Sequence, residues 1–330
     1  MQDSVTSPAP GFVADETTSF ERYSDLMLGL AFLATALVAA KRMSTSRQQQ
    51  GGAETTVVTA FYSLILLTSV LRSAWFLIPS TVWQPSYTPM AVFAWDADHP
   101  AWVGASLSEV TVTAGSLALF SIFILILVYW ADILKKYFHP GSRRSLPMVT
   151  FLGLVLGLIA LELVNLALFL FGLYTTEGMI LFNAVLLAVV SIICVCEITI
   201  FSHRFRTVLK TLGAINQVST DSQVRRIVWI TVTGNLFFFT RALLETVFAV
   251  KLLVYWHKYH TVAKSFTHLW WDAYTLITYW SEVIILALML YILQSRFTGA
   301  QQAAAAAVAT TNTAGYSKVP DAEPVATADV

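Results

Sequence analysis

The sequence has few charged residues. Only 12% of its 330 residues are charged while 56% are hydrophobic, whereas roughly 25% of a soluble domain is charged. The 20 basic and 20 acidic residues cancel, so the basic excess of a nucleic-acid-binding protein is missing. With 21 Phe, 12 Tyr and 10 Trp, the chain is also too aromatic to be disordered. The composition predicts a protein whose solvent is the lipid bilayer and excludes a nucleic-acid partner.

Cysteine and proline are scarce as well. The two cysteines, Cys194 and Cys196, stand two positions apart in one apolar run, so they point to different faces of a helix and cannot bridge each other. All ten prolines lie outside the long apolar runs or at their ends. This distribution argues against rhodopsin-like receptors, whose helices are kinked by proline, and against transporters with broken helices. We expect mostly straight helices.

Missing side chains also argue against cofactor chemistry. The last apolar run has no lysine that could form a Schiff base with retinal. All six histidines fall in predicted loops or at helix ends, where they cannot form a zinc site at membrane depth. No nucleophile and base can be paired within the apolar runs. We therefore predict no cofactor, no metal and no enzymatic activity.

Seven apolar runs are long enough to cross a bilayer, which takes about 20 helical residues. They lie at 24–43, 55–78, 104–134, 148–173, 178–202, 227–254 and 269–294. Residues 1–23 are polar and acidic and lack the basic start of a cleavable signal peptide. The low-complexity residues 297–330 are predicted to form a disordered cytosolic tail. The predicted fold class is an all-α membrane protein, one seven-transmembrane helix bundle over residues 24–296.

Basic residues are concentrated in alternate loops. Fourteen of the 20 fall after the first, third and fifth runs or in the C-terminal tail, and three (Arg22, Lys258 and Lys264) fall on the opposite side. Because basic loops stay in the cytosol, we predict an outside or lumenal N-terminus and a cytosolic C-terminus. The outer loop at 79–103 is rich in Trp and has no basic residue. We interpret it as an interfacial belt or lid on the bundle, with a ligand-binding lid as the alternative.

Ionisable side chains inside the predicted spans each cost on the order of 3 kcal/mol unless they find a partner or line a polar cavity. The sequence predicts an interior polar network of Arg72, Glu109, Glu162, Asn165, Arg241, Glu245 and Glu282. We expect Arg241 to pair with Glu282 or Glu162. Arg72 is expected to pair with Glu109 or Glu245. We interpret these pairs as determining which helices lie next to each other. The alternatives are a ligand site, a switch between helices, or an ion pathway.

Two features indicate surfaces for protein contacts. Gly153 and Gly157 form a small-xxx-small step in the fourth run, which lets helices approach closely. We interpret this step as packing within the bundle, and a homodimer contact is the alternative. The basic inner loop 203–226 is predicted to hold a short amphipathic helix that rests on lipid. A docking surface for a cytosolic partner is the alternative there.

Short motifs near the predicted helix ends resemble a known family. Residues 127–133 read LVYWADI, which is similar to the Phe-Trp-Ala-Glu-Ile step of the tobamovirus multiplication protein family of seven-helix membrane proteins. Leu71-Arg72, Arg241 and the Glu282-Val283-Ile284 segment also resemble the family's layout, which orphan lysosomal receptor-like proteins share. The resemblance covers about residues 24–296. Asp132 stands where the family has Glu, and a proline expected after the helix-seven glutamate is absent.

The resemblance implies a non-enzymatic, receptor-like scaffold in a vacuolar or endolysosomal membrane, with the plasma membrane as the alternative location. It also implies recruitment of cytosolic partners, including small GTPases. Carried over by position, the residues implied to have structural or coupling roles are Arg72, Trp130, Asp132, Arg241 and Glu282.

A tail motif is independent of the resemblance. Tyr316 and Val319 match the tyrosine-x-x-bulky-apolar sorting signal that clathrin adaptors read on cytosolic tails. Two other functions stay open at this stage. A transporter or channel would use the midplane carboxylates Glu162 and Glu282, and a G-protein-coupled receptor would bind an unknown ligand beneath the aromatic outer loop.

Overall fold

The computed structural model describes residues 19–49, 53–79, 91–138, 147–216 and 221–314 of the chain. Within these ranges all regular secondary structure is helical. The helices are α1 (Ser19–Gln49), α2 (Ala53–Leu77), α3 (Trp102–Phe138), α4 (Pro147–Leu170), α5 (Thr176–Asn216), α6 (Asp221–Tyr259) and α7 (His268–Ala314), with a 3₁₀ turn at Ala263–Ser265. The prediction of an all-α protein is confirmed for these ranges.

Six helices of the described chain contain a segment long and apolar enough to cross a membrane. The segments are Ser19–Thr45, Val58–Leu77, Trp102–Val128, Met148–Leu170, Thr176–Phe201 and Leu269–Leu293. They correspond to the first five and the last of the predicted runs, so the chain is a multi-pass membrane protein. α6 is not among the six found in the described residues, and it carries three charged side chains, Arg241, Glu245 and Lys251, within eleven positions. A helix is present at 227–254, but its crossing of the membrane stays a prediction.

The chain forms two compact units, Met1–Leu286 and Ala287–Val330. The described part of the second unit is helix, which continues to Ala314. This differs from the disorder predicted from residue 297 onward. The run of alanines at 303–307 accounts for the difference, because alanine has the highest helix propensity. Tyr316 and Val319, the predicted sorting signal, lie outside the described residues.

α3 is the central helix of the first unit. It contacts α2, α4 and α5, and 67% of its apolar segment is buried, compared with 17% for α4. Phe123 of α3 packs against Phe238 of α6 with the two rings nearly perpendicular. α3 is therefore the most buried of the six apolar helices of the bundle.

α1 and α2 approach closely at Gly29. The Gly29 carbonyl accepts a hydrogen bond of 3.1 Å from the Ser73 hydroxyl. A Cβ added to Gly29 would lie 2.6 Å from Leu77 Cδ2 and 3.2 Å from Phe76 Cβ. Phe76 packs in turn against the Tyr279 ring of α7, with 4.9 Å between centroids. A side chain on Gly29 would therefore disturb the contact between α1 and α2.

The segment before α3 covers the junction of α4 and α5. The N–H of Thr176 donates to the carbonyl of Val92 over 3.0 Å, and the Trp95 indole donates to the carbonyl of Leu170 over 3.1 Å. The Trp95 and Trp102 rings lie 5.0 Å apart. In its described part, residues 91–101, the aromatic loop thus packs on the bundle, as the belt or lid interpretation predicts.

Two interpretations of helix contacts are wrong. The structure has no separate helix in the described part of 203–226; α5 runs without interruption to Asn216, because no Gly or Pro breaks the chain before Gly213. Gly153 and Gly157 do not pack within the bundle either. A Cβ added at either position would meet no atom of the described chain within 4 Å. This face of α4 is left for lipid or for another protein.

Substitution of two mid-helix glycines should therefore have opposite effects. Gly153→Ala removes the helix penalty of glycine, about 1 kcal/mol, and meets no neighbour. Gly29→Ala gains the same helix propensity but forces Leu77 and Phe76 aside, which typically costs 1–3 kcal/mol. In detergent, we expect an unchanged or raised Tm for Gly153→Ala and a lowered Tm for Gly29→Ala. Equal Tm values for the two variants would contradict the close approach of α1 and α2.

Candidate functional site

A buried ion cluster joins α2, α3, α6 and α7. At its centre, Arg72 and Glu282 are both 0% exposed. Arg72 donates to the carboxylate of Glu282 through Nε over 2.8 Å and through Nη2 over 2.9 Å. It also donates to the Val112 carbonyl over 2.8 Å and to the Ser116 hydroxyl over 2.7 Å. This two-pronged geometry is the strongest form of an arginine–carboxylate pair.

Arg241 is the second guanidinium of the cluster. Its Nη1 donates to Oε1 of Glu282, the same carboxylate that Arg72 holds, and its Nη2 donates to the Ser116 hydroxyl over 3.1 Å. Arg241 also pairs with Glu245 one turn along α6, over 2.6 Å. The Tyr274 hydroxyl donates to the other oxygen of Glu245 over 3.3 Å. Two arginines and two glutamates thus form a cluster without net charge.

The small residues of α3 make room for this cluster. A Cβ added to Gly115 would lie 3.1 Å from Nη1 and 3.2 Å from Cζ of Arg72. The next residue, Ser116, accepts from both arginines. On the opposite side the Arg72 guanidinium lies over the Tyr279 ring, 4.8 Å from its centroid, a cation–π arrangement. Arg72 is therefore held on every side by α3, α7 and its carboxylate.

A second polar chain runs from α3 to the α4–α5 junction. The Asn183 amide donates to Glu109 over 3.2 Å, and the Asn165 amide donates to Asn183 Oδ1 over 2.6 Å. The Tyr174 hydroxyl contacts Oδ1 of Asn165 and lies 2.8 Å from the Asn165 carbonyl oxygen. Burial, together with the nearby Glu162 carboxylate, raises the pKa of Tyr174 to about 12. The phenol therefore keeps its proton and acts as a donor at neutral pH.

Glu162 differs from the other carboxylates. It lies on the narrow buried seam of α4, three positions before Asn165, and is 8% exposed. Neither of its oxygens accepts a hydrogen bond from the described part of the chain. Its nearest charged neighbour is Glu109, whose charge repels it. Glu162 thus has polar neighbours but no cation, in contrast to Glu282.

The two clusters are neighbours. Glu109 lies close enough to Glu245 for their charges to interact, so polar side chains continue from α4 through α5 and α3 to α6. All seven residues of the predicted network lie in this region, in two groups. One group contains Arg72, Arg241, Glu245 and Glu282, and the other contains Glu109, Glu162 and Asn165.

The predicted pairs are correct only in part. Arg241 pairs with Glu282, one of its two expected partners. Arg72 pairs with Glu282 as well, and not with an outer carboxylate of α3 or α6 as expected. The physical reason is that Glu282 lies between the two arginines, so that one carboxylate accepts from both. Trp130 and Asp132 lie in α3, but their side chains are outside the described part of the structure.

Five residues of the site are not predicted from the sequence. Gly115, Ser116, Asn183, Tyr274 and Tyr279 all touch or shape the two clusters. Asn183 could have been found, since an amide within an apolar run is unusual. The others are common in membrane helices and carry no comparable signal. Among the described residues, no group of three or more His, Cys, Asp or Glu is arranged to hold a metal ion.

Comparisons with known proteins identify no relative. The chain matches no protein-family model, and neither a curated protein nor a solved structure matches it. The resemblance to the tobamovirus multiplication protein family therefore stays a prediction that depends on the short sequence motifs.

Replacing the two buried glutamates should separate their roles. Glu282→Gln removes the negative charge that both arginines share, and breaking a buried pair in this way costs about 3–5 kcal/mol. Glu162→Gln replaces a buried carboxylate that lacks a donor with a neutral amide, which should leave stability unchanged or raise it. We expect a large fall in Tm and in monodisperse yield for the first variant alone, measured by thermal size-exclusion chromatography in detergent. A larger loss for Glu162→Gln would contradict the assigned contacts.

Proposed function

We propose that the protein is a receptor-like membrane scaffold that recruits a cytosolic partner and catalyses no reaction. The observation that carries this proposal is the shared carboxylate of Glu282, which ties α2, α6 and α7 together beside α3. A carboxylate that carries a proton or an ion across a membrane has to exchange partners. Glu282 is fully buried and held by two arginines, so it favours a coupled, rigid bundle over a transport pathway.

We further propose that α6 is the seventh span. Simple hydropathy treats each charged side chain as if it faced lipid, yet Arg241 and Glu245 are 2% and 1% exposed and pair with each other. Their charges therefore do not meet the acyl chains. Lys251 lies two turns from the end of α6, near enough for its long side chain to reach the headgroups. Seven spans then give an outside or lumenal N-terminus and a cytosolic C-terminus, by the distribution of basic loops.

The proposed partner is a cytosolic protein, such as a small GTPase, that docks on the basic inner loops. Fourteen of the 20 basic residues lie on that side, which favours an acidic docking surface on the partner. The proposed location is an endolysosomal or vacuolar membrane, with Tyr316 and Val319 as the sorting signal.

Labelling of single cysteines should show whether α6 spans. In a Cys194→Ser/Cys196→Ser background, His203→Cys marks α5 before the inner turn and Lys264→Cys marks the α6–α7 connection; both native side chains are exposed. With sealed endolysosomal or vacuolar organelles, whose outer surface is cytosolic, we expect an impermeant maleimide to label position 203 only, and position 264 to react only after permeabilisation. Labelling of both positions from one side would mean that α6 does not cross and that the chain has six spans.

Proximity labelling from the C-terminal tail should identify the partner. We expect a small GTPase among the labelled cytosolic proteins, and a several-fold drop in its labelling in an Arg204→Gln/Arg206→Gln variant, because the docking charge is lost. A Lys258→Gln/Lys264→Gln variant removes the same charge from the opposite side and should leave the labelling unchanged.

A second candidate function is transport of protons or ions, favoured by the Glu162 carboxylate, which is buried and pairs with no cation in the described part of the chain. Reconstituted proteoliposomes separate the two functions. The scaffold predicts no ion-coupled flux. Flux that is present in the native protein and abolished by Glu162→Gln would contradict the scaffold and support transport.

A further inference from the structure

Two shallow, open pockets follow one another along the exposed face of α6 near its C-terminal end, and together they are called the groove. The first is lined by Thr246, Val247, Val250, Lys251 and Trp270. The second is lined by Leu253, Val254, His257 and Lys258. Val247 and Val250 are 43% and 52% exposed and belong to the exposed apolar face of α6. The groove is thus apolar along its length and carries basic side chains near the end of the helix.

The spacing of these residues makes one continuous track. Val247, Lys251, Val254 and Lys258 follow one another at intervals of three or four positions, so they lie on one face of the helix. The two lysines are separated by about 10 Å along the axis, at 1.5 Å per residue. Two long side chains can cover that distance to reach a single headgroup.

Aromatic rings place this end of the groove at the membrane surface. The Lys251 ammonium lies 4.3 Å from the centroid of the Trp270 ring. Trp270 is the second residue of the apolar segment Leu269–Leu293, the level at which tryptophan meets lipid headgroups. The Lys258 and Lys264 ammonium groups lie 5.1 Å and 4.7 Å from the Tyr259 ring.

These ammonium groups each lie against an aromatic ring. In the described part of the chain, none of the three lysines forms an ion pair with a carboxylate. This contrasts with Arg72 and Arg241, each of which is matched by a glutamate. A ligand that carries negative charge beside an acyl chain would match both the apolar track and the lysines.

We propose that this groove binds an anionic glycerophospholipid of the surrounding bilayer. One acyl chain lies along Val247, Val250 and Val254, and the phosphate lies between Lys251 and Lys258. Basic pockets beside membrane helices select anionic headgroups in this way. A zwitterionic lipid would fill the same track, but its own cation would offset the attraction of the lysines. The site is independent of the proposed scaffold function.

Native mass spectrometry of the full chain in detergent tests the site, with phosphatidylglycerol and phosphatidylcholine as the titrated lipids. We expect the native protein to bind phosphatidylglycerol at least tenfold more tightly. Each groove lysine should contribute about fivefold, so Lys251→Gln/Lys258→Gln should bring the two affinities together. Lys251→Arg should retain the preference. Lys264→Gln, the matched loss of charge outside the groove, should leave it unchanged.

A variant that blocks the track checks the acyl contact separately. Val250→Trp keeps every charge and fills the groove, so it should weaken binding of both lipids severalfold. Each variant is first checked for an unchanged Tm, which we expect because these side chains lie on the outer face of α6. Equal affinity of the native protein for the two lipids would overturn the proposal. So would an effect of Lys264→Gln as large as that of the groove lysines, since it would indicate general surface charge.

Discussion

The first unit of this protein depends on one carboxylate shared by two buried guanidinium groups. Glu282 accepts from Arg72 and Arg241 at once, and without it two positive charges would lie together in a low-dielectric interior. Each guanidinium is planar and rigid in its donor directions, so the shared contact constrains how α2, α6 and α7 are rotated about their axes. Gly115 and Ser116 then require α3 to present its smallest side chains at the same level.

The same contact explains how α6 can carry charged side chains and still be proposed to cross the membrane. Arg241 and Glu245 place two charged side chains in the middle of this otherwise apolar helix. In the folded chain these are the side chains that turn inward and pair, while Val247, Val250 and Val254 face outward. The charges that make α6 look unsuited to lipid are thus those that bind it to its neighbours.

The sequence predicts the helices well and the contacts between them less well. Long apolar runs identify six membrane segments, because segment length and hydropathy are properties of the local chain. The positions of Arg241, Glu162 and Glu282 near the middle of their runs predict that Arg241 pairs with one of these two glutamates. The partner of Arg72 depends on how α7 faces α2, and local sequence patterns do not predict the relative orientation of two helices. Gly153 and Gly157 show the same limit, since a small-xxx-small step does not say which side of the helix is covered.

Two glutamates at similar predicted depth therefore have different physical roles. Glu282 faces two arginines because α2 and α6 both present one at its level. Glu162 lies on α4, the least buried of the membrane helices, and its neighbours are amides, a phenol and Glu109. Ion pairs connect α2, α6 and α7, whereas the polar contacts among α3, α5 and α4 are hydrogen bonds, so the polar contacts resist a conformational change of the bundle least at α4. If the bundle has a second state, the contacts that it exchanges are those of Asn165, Asn183 and Tyr174.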